Sequence, residues 1–411
     1  MMATTASSET AGDVPVAAES VAPSSVPASA GPADLSAFRT PEFSGVLQEL
    51  ENLLSQCRLG FLLGAGCSRC AGLPMMHELT TIVQGSLPAP SQAILDGVIA
   101  NFPGAPRCTI EDYMSELVDL IAIAERRRQR SATTAGATIA TTRYASEQLS
   151  AALDDIKRGI AKAIASPSGS KSIDTHRQFI RTIHGALRSG KGSAPKLAVD
   201  YFTLNYDTLI EDALSLERIP TVDGFHGGAT GWWDKSQYDD ASALARVYKL
   251  HGSIDWCLCD DDVLPRRIRD GLTVASRRDH LLIWPAATKY RETQRDPYAQ
   301  LVSLMRDRLR PTSNSEVVLC ICGYAFADEH INFEIDRALR ESKERLTVAV
   351  FSSDNEPTGQ LKAWLDDDGV ADRIRIHANR GFFHANNRIV SDVDLPWWKF
   401  EVLTQILSGQ R

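Results

Sequence analysis

A short apolar run followed by two closely spaced glycines is the first feature of the chain that could bind a ligand. Residues 60–74 read GFLLGAGCSRCAGLP, in which Gly64, Ala65 and Gly66 follow the run and Ser68 comes two residues later. A strand, a glycine turn and a helix in this order form a phosphate-binding loop, because backbone N–H groups and the helix N-terminus favour an anion. The glycines would also let the backbone approach a pyrophosphate closely. We therefore predict that this loop, including Ser68, binds the phosphates of a nucleotide.

The loop does not complete the fingerprint of a dehydrogenase. Arg69 stands where the pattern G-x-G-x-x-G requires its third glycine. No acidic residue stands about 20 residues after the loop to bind a ribose, since that region reads QGSLPAPSQ. An ordinary dehydrogenase is therefore disfavoured, and the loop by itself fits a plain tight turn almost as well.

Three more polar stretches each stand where an apolar run ends. They are Asn205-Tyr206-Asp207 after 197–203, His251-Gly252 after 246–250, and Gly323-Tyr324 after 317–322. The carboxyl ends of parallel strands are where open α/β sheets bind their ligands. Asn205 offers a donor and an acceptor, Asp207 offers a negative charge, and His251 is a candidate base. In a purely structural interpretation, Asp207 would cap the helix that follows it, and Asp328 would cap the helix beginning at Glu329.

Alternation of strands and helices predicts the fold that positions these residues. Apolar, β-rich runs occur at 59–63, 197–203, 246–250, 281–284, 317–322, 346–351 and 373–377, and helical patterns separate several of them. This alternation is typical of an α/β protein with a Rossmann-like, doubly wound parallel sheet covered on both faces. Helical periodicity also predicts helices near 110–121, 146–165 and 174–188. We interpret them as a helical insertion after the first strand–helix unit.

These patterns divide the chain into four segments. Residues 1–38 are mostly Ala, Ser, Thr, Pro and Val, and we predict a disordered tail. Residues 39–87 would form the first part of the nucleotide-binding domain, 88–190 the helical insertion, and 191–411 the remainder of the domain with a C-terminal helix. Residues 131–142, SATTAGATIATT, are predicted to be a mobile loop between two insertion helices. The insertion would either regulate the pocket or only complete the core, and both alternatives stay open.

Composition limits the classes of partner. The 411 residues are 43% hydrophobic and carry a formal net charge of −8, which argues against broad binding to nucleic acid. Several of the eight cysteines stand in apolar, strand-like runs, as free thiols of a reducing compartment do. The chain shows no signal peptide, and no apolar run reaches the roughly 20 residues of a membrane helix. We expect a soluble, cytoplasmic protein that binds neither membranes nor, directly, nucleic acid.

The four polar stretches, in this order, resemble the sirtuin family. Its G-A-G-x-S loop is matched by residues 64–68, its Asn-x-Asp motif by residues 205–207 and its His-Gly pair by residues 251–252. Its late loop for the adenosine has a divergent counterpart in Gly323-Tyr324-Ala325-Phe326. The matches cover roughly 59–80 and 197–340. The resemblance implies a sirtuin-like fold and NAD as the substrate.

The chain also departs from the protein-deacylating members of that family. Protein-deacylating sirtuins follow the loop with Asp-Phe-Arg and hold zinc with two paired-cysteine knuckles. Here Gly72-Leu73-Pro74 follows, and Cys257 and Cys259 form a single C-x-C. Because four thiolate ligands cannot be assembled from that spacing, we expect no zinc ribbon and no bound metal. The stretches G-L-P, T-x-N-Y-D and G-Y-x-F-x-D resemble the sirtuin-like domains of bacterial antiviral defence, which hydrolyse NAD.

That second resemblance implies an NAD glycohydrolase that releases nicotinamide and ADP-ribose and depletes NAD in antiviral defence. It implies that Asn205 orients water and the ribose or nicotinamide, that Asp207 anchors the amide or stabilises the cation, and that His251 is a base. Gly323 and Tyr324 would line the adenosine end.

The resemblance also bears on partners. It implies a homo-oligomer or a separate partner such as a HerA-type ATPase. Two alternatives for the function stay open: an NAD-dependent protein deacylase or ADP-ribosyltransferase, and a non-catalytic sensor of NAD or ADP-ribose.

Overall fold

Parallel strands form the framework of the chain. The computed structural model describes residues 34–56, 58–102, 108–132, 135–166, 172–186, 197–228, 230–258, 264–268, 280–283, 296–311 and 315–410. The strands are β1 Arg58–Leu63, β2 Ala137–Ile139, β3 Thr142–Tyr144, β4 Val199–Thr203, β5 Thr221–Val222, β6 Phe225–Gly227, β7 Thr230–Trp233, β8 Ala245–Lys249, β9 Gly252–Leu258, β10 Arg266–Ile268, β11 His280–Ile283, β12 Val317–Cys322, β13 Leu346–Phe351, β14 Ile374–Ala378, β15 Gly381–His384 and β16 Asn387–Val390. The helices are α1 Pro41–Gln56, α2 Met76–Gln84, α3 Ala89–Ala100, α4 Ile110–Gln129, α5 Ser146–Ala165, α6 Asp174–Arg181, α7 Leu209–Leu216, α8 Tyr298–Leu309, α9 Glu329–Glu341, α10 Gly359–Leu365 and α11 Phe400–Leu407.

The main sheet is doubly wound. Within the described residues it contains nine strands in the order β16-β15-β14-β13-β12-β1-β4-β8-β5. The strands from β14 to β5 pair in parallel, and β15 and β16 add an antiparallel edge. After β1 the chain builds β4 and β8 on one side and then returns to place β12 on the other, so the strand order reverses between β1 and β12. The predicted α/β fold with a doubly wound parallel sheet is confirmed.

The apolar runs form central strands because both faces of the sheet are covered. All six residues of β12 and all five of β4 are buried, as expected for strands between two helical layers. On one face Phe179 of α6 contacts Phe61 of β1 and Phe400 of α11, with ring centroids 5.0 and 4.8 Å apart. On the other face α8, α9 and α10 contribute Leu301, Ile335 and Trp364 to the larger core.

A second, antiparallel sheet differs from the prediction. Its order is β11-β9-β10-β7-β6 within the described part of the chain. The run at 281–284 was expected in the parallel sheet, but β11 pairs antiparallel with β9. Four of these five strands have only three or four residues, and β9 is the exception with seven. Strands β6 and β7 form a short hairpin, whereas the pairing of β10 with β7 joins Arg266 to the distant Trp232, which no local pattern indicates.

The helices between β1 and β4 belong to two layers. Helices α2 to α5 enclose a core of their own, which includes Leu95, Met114 and Ile156. Helix α6, which falls in the predicted insertion, instead covers the main sheet through Phe179.

The described residues from Asp34 onward also include the end of the predicted tail, where Ser36–Arg39 form a 3-10 turn and Phe38 is buried against Trp397. The rest of that tail, 1–33, lies outside the described residues.

The prediction of a mobile loop at 131–142 is wrong for the second half of that segment. Strands β2 and β3 form an antiparallel hairpin there, and Ala137 and Ile139 are buried. Ile139 packs so closely on α3 that a Cβ at Gly97 would lie 2.8 Å from its Cγ2. Tertiary burial of one isoleucine therefore orders a segment whose composition resembles a loop. Residues 133–134 lie outside the described residues.

Two global properties complete the description of the fold. No helix in the described ranges has both the length and the hydropathy that crossing a bilayer requires. The six cysteines in those ranges, which are Cys67, Cys70, Cys108, Cys257, Cys320 and Cys322, are free thiols.

Candidate active site

The loops that follow β1, β4, β8 and β12 meet at one end of the main sheet. The N–H of Gly64 donates to the carbonyl of Cys322, and the N–H of Leu204 donates to the carbonyl of Leu63, both at 3.0 Å. The N–H of Ile254 donates to the carbonyl of Tyr206, also at 3.0 Å. The strand order reverses at this point, and open α/β sheets bind ligands in such a crevice.

Three glycines are required here by the contact between two loops. A Cβ at Gly64 would lie 2.3 Å from the carbonyl oxygen of Gly323, and one at Gly66 would lie 2.7 Å from the Cα of Gly323. Gly323 itself has φ +66°, and a Cβ there would lie 2.5 Å from the nitrogen of Cys67. The glycine loop therefore needs glycine in order to pack on the turn after β12, a reason that sequence reasoning did not identify.

The same contacts modify the predicted phosphate-binding loop. The N–H of Gly66 donates to the carbonyl of Gly323, and the N–H of Cys67 donates to the carbonyl of Gly64, each at 3.0 Å. Residues Ala65–Ala71 form a 3-10 helix, and the α-helix begins only at Met76. The glycine loop therefore leads into a 3-10 helix rather than into the predicted α-helical N-terminus.

A chain of hydrogen bonds links Asn205 to Asp207 through the glycine loop. Nδ2 of Asn205 donates to the carbonyl of Gly64 at 3.0 Å and to Oγ of Ser68 at 2.9 Å. Oγ of Ser68 donates to Oδ2 of Asp207 at 2.6 Å. Because Nδ2 faces a carbonyl oxygen, which can only accept, the orientation of the amide is fixed.

This orientation leaves one buried acceptor. Oδ1 of Asn205 is buried and has no hydrogen-bond partner in the described part of the chain. Buried polar atoms in native proteins are nearly always satisfied, so an unsatisfied one calls for an explanation. A ligand or water that donates to Oδ1 would supply it.

Asp207 contacts both the start of helix α7, where the structural interpretation predicted a cap, and the glycine loop. Its Oδ1 accepts from the N–H of Leu209 at 3.0 Å, at the start of α7, while its Oδ2 accepts from Ser68. The ammonium group of Lys249 donates to the backbone carbonyl of Asp207. Asp207 is therefore held at three points.

Lys249 belongs to a buried ion pair that sequence reasoning missed. Its Nζ lies 3.2 Å from Oε1 of Glu211, and the side chains are 1% and 19% exposed. Burial raises the pKa of Glu211 to about 7, although the charge of Lys249 acts in the opposite direction. The pair lies directly beneath Asp207, so it fixes the backbone of the candidate site.

Replacing Lys249 by methionine is expected to destabilise the protein by about 3–5 kcal/mol at neutral pH, since it leaves a buried carboxylate without its partner. Without the lysine the folded-state pKa of Glu211 rises further above the usual 4.5. Stability is lost as pH rises through the interval between the unfolded and folded pKa values, so the loss should be larger at pH 8 than at pH 5. Denaturant unfolding measures it, and the double variant Lys249→Met/Glu211→Leu should recover most of the stability. Equal stability of the single variant and wild type would contradict this role for the pair.

His251 lies against two residues at the start of α9, Asp328 just before the helix and His330 in its first turn. It is 2% exposed, and its Nε2 lies 3.6 Å from Oδ2 of Asp328. The His251 and His330 ring centroids are 6.1 Å apart. Asp328 precedes α9 but makes no side-chain cap with it, so the predicted capping role is wrong. The carboxylate instead faces the imidazole.

Tyr324 fixes the position of Asp328. Its hydroxyl accepts from the N–H of Asp328 at 3.2 Å and donates to the side-chain oxygen of Asn332 at 3.0 Å. Its ring packs on Phe326, with centroids 4.8 Å apart. A role for Tyr324 at the adenosine end stays a prediction.

The predicted site residues are thus connected in two groups. Gly64, Gly66, Ser68, Asn205, Asp207 and Gly323 form one hydrogen-bonded and close-packed group, with Ala65 inside its loop. His251 and Tyr324 form the second, through Asp328.

The residues missed from the sequence are Lys249, Glu211 and His330. Lys249 stands two residues before His251, and no sequence signal pairs it with Glu211. The C-x-C pair cannot be followed, because Cys259 lies outside the described residues.

Comparison with known proteins covers curated sequences, solved structures and family models. No curated protein sequence matches the chain. Two solved structures of mutant Sir2 homologues in complex with ADP-ribose align with TM-scores of 0.39 and 0.38 at 10% identity, over 89% of this chain and 96% of theirs. A structure concerned with the mechanism and regulation of Sir2 enzymes aligns with a TM-score of 0.38 at 11% identity, over the same shares. At these values the alignments carry no argument about function.

The family comparison is more informative. A family model described as the SIR2-like domain matches residues 199–371, about two fifths of the chain. The match contains Asn205, Asp207, His251 and Gly323 but not the glycine loop after β1. The part of the chain that supplies three of the four strand-end loops is therefore similar to SIR2-like domains.

Proposed function

We propose that the chain is an NAD glycohydrolase, which uses water to cleave the bond between nicotinamide and ribose. The observation that carries this proposal is the buried, unpartnered Oδ1 of Asn205 at the carboxyl ends of the strands, where the strand order reverses between β1 and β12. The match of residues 199–371 to SIR2-like domains supports an NAD-related activity for the same segment.

The proposed reaction gives the buried acceptor of Asn205 a role. As the bond breaks, its electron pair goes to the nicotinamide nitrogen and positive charge develops on the ribose. A water oxygen then bonds to the ribose carbon, and a proton leaves that water. Oδ1 of Asn205 would accept a hydrogen bond from this water or from a ribose hydroxyl. Because Oδ1 is buried, a donor reaches it only when a neighbouring segment moves.

His251 is the proposed acceptor of the proton. It stands at the end of β8, and its loop is joined to that of Asn205 through Tyr206. A positioned imidazole contributes typically about 10²–10⁴-fold to such a step. The products are nicotinamide, ADP-ribose and a proton.

Asp207 is assigned an electrostatic role. Both of its carboxylate oxygens already accept hydrogen bonds, from Ser68 and from the N–H of Leu209. This arrangement favours stabilisation of the ribose cation over direct anchoring of the nicotinamide amide. The glycine loop and Ser68 would bind phosphate, with Gly323 and Tyr324 at the adenosine end. N–H groups other than those of Gly64, Gly66 and Cys67 would serve the phosphates.

We further propose that the activity depletes NAD in bacterial antiviral defence. The stretches Gly72-Leu73-Pro74, Asn205-Tyr206-Asp207 and Gly323-Tyr324 support this role by their resemblance to sirtuin-like defence domains. A homo-oligomer, or a separate partner such as a HerA-type ATPase, would then control the activity in the cell.

Product analysis separates this function from its alternatives. The purified full-length protein is incubated with NAD alone and with NAD plus an acetylated peptide. We expect nicotinamide and free ADP-ribose in equal amounts in both, because water is the second substrate. Nicotinamide released only with the peptide would indicate a deacylase, ADP-ribose attached to protein would indicate a transferase, and intact NAD would indicate a sensor.

A further inference from the structure

Three side chains that can bind a metal converge beside the proposed site. They are His251, Asp328 and His330, whose ligand atoms all lie within 4.8 Å of one another. His251 and Asp328 are 2% and 8% exposed, and His330 is half-buried. His251 comes from the turn after β8, Asp328 directly precedes α9 and His330 lies in its first turn, so the cluster bridges two of the strand-end loops.

The donor set suits a divalent transition metal. Two imidazoles and one carboxylate are ligands that zinc binds at about 2.0–2.2 Å, with a fourth position left for water. Two ligand atoms of a tetrahedral zinc ion therefore lie about 3.3 Å apart. Nε2 of His251 and Oδ2 of Asp328 are already 3.6 Å apart. Side-chain rotation of the half-buried His330 would close the remaining distance.

The surroundings hold two of the ligands in place. The hydroxyl of Tyr324 accepts a hydrogen bond from the backbone N–H of Asp328 at 3.2 Å. Gly252, with φ +85°, sets the turn directly after His251. Fixed supporting groups of this kind orient metal ligands and raise affinity.

We propose that His251, Asp328 and His330 bind one divalent ion of the zinc class, and that the ion inhibits NAD cleavage. The inhibitory part rests on the proposed function, in which His251 is the base. The nitrogen that faces Asp328 would give its lone pair to the metal, and a coordinated nitrogen accepts no proton. The expectation of no metal was drawn from cysteine spacing alone, and this site contains no cysteine.

Metal binding is tested first without reference to activity. The full-length protein is stripped with a chelator and titrated with zinc sulfate by calorimetry, with magnesium chloride as the hard-cation comparison. We expect one zinc per wild-type chain, an affinity at least about tenfold lower in His330→Ala, and no binding of magnesium. His226→Ala, which removes an exposed histidine of β6, should bind zinc like wild type. Wild type without zinc binding, or His330→Ala with unchanged affinity, would overturn the site.

Thermal unfolding shows whether the variant is folded and measures zinc binding independently. Without metal, His330→Ala should unfold within a few degrees of wild type, and zinc should raise the midpoint of wild type but not of the variant. Asp328→Asn, which keeps the side-chain shape, is the second ligand variant and should lose the same shift. Equal zinc-induced shifts in all three proteins would place the ion elsewhere.

The activity arm separates the two proposals. Zinc should suppress nicotinamide release by wild type, a chelator should restore it, and His330→Ala should continue to turn over at the same zinc concentration. Zinc that binds to wild type without slowing turnover would overturn the inhibitory part. Chelated protein that leaves NAD intact would contradict the glycohydrolase proposal, while the calorimetric result would still decide the metal site.

Discussion

His251→Ala is expected to lower kcat for NAD cleavage by about 10²–10⁴-fold, because the proposed proton acceptor is lost. The affinity for NAD should change far less, since the phosphate-binding loop and Asn205 are untouched. Initial rates of nicotinamide release over a range of NAD concentrations separate the two effects. His251 is buried, so the thermal midpoint must be measured alongside.

Two comparison variants give this result its meaning. His251→Gln fills the site and keeps hydrogen bonding but cannot act as a base near neutral pH, and it should be about as inactive as the alanine variant. Asp328→Asn keeps the imidazole and removes the facing carboxylate, so it should retain much more activity. If folded His251→Gln turns over within about threefold of wild type, well short of the loss expected for a missing general base, then His251 is not the base.

Asn205→Ala is expected to reduce kcat by about 10²–10³-fold, the usual cost of removing one preorganised polar group from a charged transition state. The substitution removes the buried acceptor Oδ1 together with the hydrogen bonds to Gly64 and Ser68. Steady-state kinetics on the folded variant measure the loss.

Ser68→Ala is the matched control. It breaks the link between Asn205 and Asp207 but leaves Oδ1 of Asn205, and the hydrogen bond from Nδ2 of Asn205 to Gly64, in place. We expect a smaller loss of kcat than in Asn205→Ala, with a weaker apparent affinity for NAD because Ser68 belongs to the phosphate-binding loop. A larger kcat loss in Ser68→Ala would show that Oδ1 is not the working atom and that the charge of Asp207, relayed by Ser68, matters more.

Six strands of the main sheet, β1, β4, β8, β12, β13 and β14, could be predicted because they are apolar runs buried between two helical layers. The run Val317–Cys322 is apolar without interruption, and such runs are typical of central parallel strands. The strands β6, β7 and β10 were missed because each has only three or four residues, and the pairing of β10 with β7 joins Arg266 to the distant Trp232. The hairpin at 137–144 was missed for a related reason, because the burial of Ile139 against α3 is a tertiary effect.

The candidate site, like the fold, could be predicted only in part. The carboxyl ends of neighbouring parallel strands lie on one edge, so the order of the motifs was enough to predict that Asn205, Asp207 and Gly323 would meet. Side-chain direction is not encoded in that order. Asp328 fits a helix cap by position, yet its carboxylate faces His251. The partnership of Lys249 and Glu211 likewise depends on packing between β8 and α7.

The rate of nicotinamide release from NAD by the purified, chelator-treated, full-length protein is the most direct test of the central claim. We predict continuous release by wild type, with ADP-ribose formed in equal amount, and release by folded Asn205→Ala that is lower by about two orders of magnitude or more. Folded wild type that leaves NAD intact, or Asn205→Ala that releases nicotinamide as fast as wild type, would contradict the assignment of this crevice as the site of NAD cleavage.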